Sequence, residues 1–288
     1  MDRRKFLNSA GVLVGGTGVL RSCLAWADAP AGSWRTFDLT THLELPETEA
    51  PTRVWVPLPL AHNLRFQDCS TTLVRCETGD WSRIVRAEEG AGMVAARFSA
   101  RSKPVLTVTS RVKVRDWTVN LQSPDSRQRL SSAERKAYLR PTRYVPTDGI
   151  VRSKAMEITK GAKTDEDQAR AIYNWVVSNT YRKSSVRGCG NGDIRPLLQT
   201  GDLSGKCADI SALFVGLARA VGLPARDVYG IRVAPSRLGY KSLGPDTGVI
   251  SHAQHCRAEV WLERFGWVPV DSVLGSVLNG TLEPIPWI

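Results

Sequence analysis

Nothing in this 288-residue chain is long and apolar enough to span a bilayer. The best candidate, Ala10 to Leu20, is short and glycine-rich against a hydrocarbon core of about 30 Å. Basic runs with interleaved aromatics are missing and so are zinc-finger spacings, which excludes nucleic acid as the partner despite a formal net charge of +11. The glycine-rich loop Arg187-Gly188-Cys189-Gly190-Asn191-Gly192-Asp193 lacks a lysine followed by serine or threonine, and no strand precedes it. It is therefore not a phosphate-binding loop. Asn191, Asp193 and Asp202 do not keep the spacing of an EF-hand. The paired cysteine spacings of a zinc ribbon are absent too, so no motif asks for a cofactor or a metal.

What is present begins at the first residues. Met1-Asp2-Arg3-Arg4-Lys5-Phe6-Leu7 is followed by a weakly apolar run and then Ala25-Trp26-Ala27. A basic end, a modest apolar region and a small-x-small site are the order of an export signal. Arg3-Arg4-x-Phe6-Leu7 resembles the twin-arginine signal, which exports folded proteins. Residues 1–27 are expected to be removed after Ala27, with a periplasmic destination, the twin-arginine translocase as a partner during export and no permanent membrane span. That cleavage would take away four basic residues and one acid and leave a net charge of +8. The charge is spread out and suits an anionic envelope or plain solubility. Losing Cys23 leaves five cysteines, an odd number, so at least one thiol stays unpaired within the chain. Cys69 and Cys76 share one expected β region and are the candidate pair.

From Trp34 the pattern has period two. Phe37, Leu39, Thr41, Leu43 and Leu45 alternate with Asp38, Thr40, His42 and Glu44, a half-exposed strand with His42 on its polar side. Val54-Trp55-Val56 follows, closed by Pro57 and Pro59. Further strands are expected near 70–76, 82–86, 93–99 and 105–114, the last with Leu106, Val108, Ser110, Val112 and Val114 on one face. Short strands with regular turns and no helical pattern predict an antiparallel β-sandwich over 34–116. Residues 117–148, broken by prolines, read as a linker with one short helix near Ala133–Leu139, which either spaces the halves or lies across a cleft with Tyr144 and Thr147.

A second region, 149–288, opens with a helix from Gly149 to Lys160 and another N-capped by Thr164, with Ala169, Ile172, Tyr173 and Val176 on its inner face. Next comes a loop from Ser184 to Gly205. Ile210, Leu213, Phe214, Leu217 and Val221 then fall at helical spacing, and Gly222 with Pro224 stops the helix. Cys207 stands in that helix's first turn, where unpaired amides and the positive dipole end favour a thiolate and could hold an oxyanion. A buried free cysteine can also simply pack. Asp227–Val233 reads as a strand and Ala234–Val249 as a long loop in the position of a lid. Ser251 to Asp271 reads as a hairpin turning near Arg264 to Gly266, which brings Asp271 back towards His255. On an extended strand Cys256 would point away from His255. Cysteine, histidine and aspartate make a nucleophile, a base and an orienter.

GKCADISALFVGLARAVGLPAR, HCRAEVWL and GWVPVD together resemble the core of the bacterial transglutaminase-like superfamily, a branch of the papain-like cysteine enzymes. The resemblance runs from about Ala169 to Asp271. It implies an α+β fold in which helices pack on an antiparallel sheet, here following the β-sandwich. It implies Cys207 as nucleophile, His255 rather than His252 as base, and Asp271 as orienter. It also implies that Tyr181, at the end of the second helix, approaches the site as an oxyanion or substrate contact. The family's usual proline after the aspartate is Ser272 here, and Pro284 and Pro286 hinder a central strand in the last residues.

The function expected is hydrolysis of a peptide or amide bond in a protein of the cell envelope, with amine transfer as the alternative acceptor chemistry. No aromatic residue lies within ten positions of Cys207 except Phe214, while Trp261 and Trp267 could wall an amine tunnel near the base. Two other readings compete. One is a metal site built from Cys189, Cys207, His252, His255 and Cys256, against which their spacing counts. The other is an inactive binding protein whose sandwich does the work.

Overall fold

The computed structural model describes residues 34–60, 64–86, 91–115, 119–124, 129–233, 250 and 253–272. The expected signal at 1–27, the loop 234–249, His252 and the last residues from 273 lie outside them. Six strands come first: β1 Arg35–Glu44, β2 Thr52–Leu58, β3 Gln67–Cys76, β4 Gly79–Arg86, β5 Ala91–Phe98 and β6 Val105–Val114. They form two three-stranded antiparallel sheets, ordered β1-β6-β3 and β2-β5-β4. The inner residues of one sheet, Val56, Leu58, Val94, Ala96 and Phe98, pack with Leu106 and Val108 of the other. This is the expected sandwich, and the alternation in the sequence sets which residues enter it.

Two details differ from expectation. Pro57 does not close its strand but sits within β2, opposite Met93. It is tolerated there because β2 is an edge strand, where a missing N–H breaks no ladder bond on the open side. Cys69 and Cys76 cannot pair, since they occupy the two ends of one continuous strand, facing Val112 and Leu106 of β6. Seven residues at about 3.3 Å each hold them far beyond disulfide reach. All five cysteines among the described residues are free thiols.

Among the described residues the second half holds five helices, α1 Ser132–Leu139, α2 Gly149–Ile158, α3 Asp165–Asn179, α4 Ile194–Thr200 and α5 Cys207–Ala220. Its strands are β7 Tyr181–Arg182 and β8 Ser204–Gly205, paired in parallel, and β9 Ala225–Ile231, β10 Gln254–Leu262 and β11 Gly266–Val270. The last three make one antiparallel sheet, ordered β11-β10-β9. Helix α3 starts at a capping box, with Thr164 and Asp167 each accepting the other's backbone N–H. Its buried face is Ala169, Ile172, Tyr173 and Val176, the four residues read from the spacing.

Helix α5 departs from the single stripe expected of it. Twelve of its fourteen residues are buried. The positions between the large apolar ones are Ala208, Ser211, Ala212, Gly216 and Ala218, small enough for neighbours to close in on every side. At Gly216 a Cβ would run into the tip of the Ile194 side chain, so the missing atom lets α4 pack close there. Gly222, at φ +91°, ends the helix, and the Leu223 N–H returns to the Ala218 carbonyl at 3.0 Å.

Helix α4 falls in a stretch expected to be loop. Its signals are short-range: Asp193 caps the Arg195 N–H at 3.3 Å, and Gly201 at φ +73° sends its N–H to Leu197. Helix α1, in the segment expected to be a linker, joins the core through Tyr138. That ring meets Trp267 edge-on with centroids 4.7 Å apart. Arg226 lies 4.2 Å over Trp267 and binds the fully buried Glu259, which Arg257 also holds at 2.6 Å. Burial works against the Glu259 carboxylate, and the two guanidiniums overcome it.

Candidate active site

Cys207 is the first residue of α5, preceded by β8 and set against β10. The helix is fixed there by a second chain segment. Asp209, in its first turn, accepts the N–H groups of Asn191 and Gly192 on one oxygen and that of Lys206 on the other, each at 2.9 Å. The Ala208 N–H goes to the Cys189 carbonyl, also at 2.9 Å. These bonds strap the glycine-rich loop across the helix end. Gly190 has φ +97°, and a side chain there would run into the Asp209 carboxylate. The loop is thus fixed against the helix end that carries Cys207. It also occupies Ala208's amide, one of the groups expected to be open for an oxyanion.

The hairpin delivers the other two residues. Ala258 pairs with Val270 and Leu262 with Gly266, which fixes the register. His255 and Asp271 then sit diagonally across the two strands, and His255 Nε2 is 2.7 Å from Asp271 Oδ2. The Asp271 side chain is wholly enclosed. With Nε2 committed to the carboxylate, Nδ1 is left for the sulfur, and the His255 and Cys207 side chains are hydrogen-bonded. The structure therefore brings Cys207, His255 and Asp271 together in that order.

Electrostatics follows from those contacts. The Cys207 thiol is held far below the ordinary range by the Cys256 thiol, which donates to it, and by His255, against the opposing effect of burial. Burial alone would discharge His255, but Asp271 and Cys207 more than offset it and hold the ring up at about 9. Both shifts favour the pair as thiolate and imidazolium at neutral pH. Cys256 pays the reverse effect: its bond to the Cys207 sulfur pushes its own proton loss far up.

Cys256 was expected to face away from His255, and it does not leave the site. Its sulfur, that of Cys207 and that of Cys189 all lie within 4.8 Å of one another. Alternation along a strand separates the directions of neighbouring side chains, but it does not set their distances to a third group at the helix end. Cys189 arrives on the strapped loop. Neither its place nor Asp209's was legible, since both depend on a closure between segments about twenty residues apart.

Tyr181 is exposed on β7, beside the strand that leads into Cys207. Its hydroxyl donates to Asp202 at 3.1 Å. Ser204 and then Tyr181 keep the Asp202 carboxyl down at about 2. Tyr229, which the sequence reading passed over, stands in register with Cys256, and its hydroxyl reaches the Gly192 turn. Trp261 and Trp267 do not line the approach to the base. They meet edge-on with centroids 5.6 Å apart, in the cluster of Tyr138 and Arg226. Trp261 is six residues along β10 from His255, about 20 Å.

Comparison with known proteins adds the lineage. The model of the transglutaminase-like superfamily matches residues 152–272. An uncharacterised protein of Haemophilus influenzae is 34% identical over 282 residues, covering 88% of this chain and 74% of that one. A solved structure from Cytophaga hutchinsonii, provisionally named a cysteine protease, gives a TM-score of 0.56 at 17% identity, over 88% of this chain and 82% of that one. The periplasmic domain of TgpA from Pseudomonas aeruginosa gives 0.43 at 16%, over 86% and 74%. No helix among the described residues is long and apolar enough to cross a membrane.

Proposed function

We propose, from the premise that the chain belongs to the transglutaminase-like superfamily, that it is a cysteine hydrolase cleaving peptide or amide bonds. One observation carries this reading: the sulfur at the start of α5 is bonded to His255, whose other nitrogen is bonded to a buried carboxylate. The Cys207 thiolate attacks the carbonyl carbon, and His255 gives its proton to the departing amine. His255, now neutral, takes a proton from water, and the resulting hydroxide equivalent breaks the thioester. Acid is released and the thiolate restored. Asp271 keeps the ring in the tautomer and orientation that both steps need. Tyr181 is proposed as a substrate contact from its exposed place beside β8.

Water rather than an amine is the proposed acceptor. Amine transfer needs a site that excludes water and orients the nucleophile. The aromatics that could have walled such a tunnel are committed to the Tyr138 cluster. We place the reaction in the periplasm, on envelope proteins, on the strength of the residues 1–27 that resemble a twin-arginine signal.

The test supplies peptides from envelope proteins together with excess primary amine and follows products by mass. Cleaved peptides that disappear with Cys207→Ala support hydrolysis. Amine adducts outnumbering cleavage products would make the enzyme a cross-linker. Replacing Arg3 and Arg4 with lysine should strand the protein in the cytoplasm, and undiminished export would refute the twin-arginine route.

A further inference from the structure

We propose that Cys189, Cys207 and Cys256 form a three-sulfur site for a soft closed-shell cation of the zinc(II) or copper(I) kind, with the nucleophile itself as one ligand. The sequence spacing of these residues argues against a metal ribbon, but the fold makes spacing irrelevant. One sulfur comes from the strapped loop, one from the start of α5 and one from β10. All three lie within 4.8 Å of one another. Three thiolates around a single cation at about 2.3 Å sit roughly 4 Å apart, so little movement is needed. Thiolates are the donors that select such cations over magnesium or calcium.

The surroundings suit the task. Cys256 is buried and Cys189 and Cys207 are half-buried, so the cation would be enclosed on one side and approached from the other. Lys206 and the end of α5 offset part of the negative charge of three thiolates. Occupancy removes the lone pair that attacks substrate. The site therefore silences Cys207 reversibly, and without any oxidant. This goes beyond the hydrolase reading, and it is measured without substrate, so the two stand or fall separately.

The experiment uses the full chain, reduced and freed of metal. Zn(II) and Cu(I) are titrated separately against a competing chelator, and Co(II) serves as the spectroscopic probe. One equivalent should bind, Co(II) should show sulfur-to-metal charge transfer, and loading should slow alkylation of Cys207 at least tenfold. Cys189→Ala and Cys256→Ser should each weaken binding by at least about tenfold. Cys189→Ala is the safer variant for folding, checked by thermal unfolding, because its side chain is only half-buried. Tight binding of one cation alone identifies which of the two the site takes. Failure of both to bind, or binding unchanged in both variants, overturns the inference.

Discussion

Cys207 is held as a thiolate by the Cys256 thiol and then by His255, and His255 keeps its proton because Asp271 and then Cys207 outweigh burial. Removing that carboxylate lets burial win at the ring. Asp271→Asn should lower turnover by a hundredfold or more and move the loss of activity at high pH downwards. In the intact protein that loss should centre near pH 9, where His255 gives up the proton the leaving amine needs. A rate profile against pH for the two proteins checks both statements, and an unmoved basic limb would contradict the role given to Asp271. Asp227 behaves in the opposite sense. Burial raises its carboxyl to about 7 despite Arg219, and its Oδ1 is enclosed. Its folded pKa lies above its unfolded one, so the stability it contributes is complete below about pH 4 and is lost as pH rises through 7. Asp227→Asn should therefore raise the melting temperature at pH 8 and leave it nearly unchanged at pH 4.

At the scale of elements, α5 is held by what it touches at both ends. Asp209→Ala would leave three backbone N–H groups without their acceptor, at a cost of roughly 3 kcal/mol or more. Asp209→Asn keeps an acceptor for two of them and should lose clearly less. Denaturant unfolding of the two variants measures the difference, and equal losses would mean the strap is not what the carboxylate supplies. The strands β1 to β6, the inner face of α3 and the hairpin of β10 and β11 were legible because each is written in local periodicity and turn residues. Cys207, His255 and Asp271 were legible for a related reason, since a helix start and a hairpin place them almost unaided. Helix α4 was passed over although Asp193 and Gly201 bracket it, because glycines around it read as loop. The all-round burial of α5 was hidden because small residues carry little hydrophobic signal. The meeting of three cysteines was legible only as a competing metal reading against which spacing counted. It arises from a loop folding back, which no spacing records.

The whole molecule contains two separate apolar clusters among the described residues, one between the two sandwich sheets and one around α5. They share no residue, although Arg257 of β10 lies 5.1 Å over the ring of Phe66, just ahead of β3. Phe98→Ala should cost the sandwich about 3–5 kcal/mol. Because Phe98 belongs to the other cluster, alkylation of Cys207 should proceed at an unchanged rate in the folded variant. Peptide mapping after brief labelling reads this directly, and a matching loss of Cys207 reactivity would show the two clusters to be one cooperative unit.

The central claim is that Cys207 is a thiolate because the Cys256 thiol and His255 both face it. The rate at which a dilute alkylating agent labels each cysteine, followed by mass from pH 5 to 9, tests it most directly. Cys207 should be labelled ahead of Cys69, Cys76, Cys189 and Cys256 at pH 6, with a rate that hardly changes down to pH 5. A rate climbing about tenfold per pH unit towards 8.5, as an ordinary thiol's does, would contradict the account.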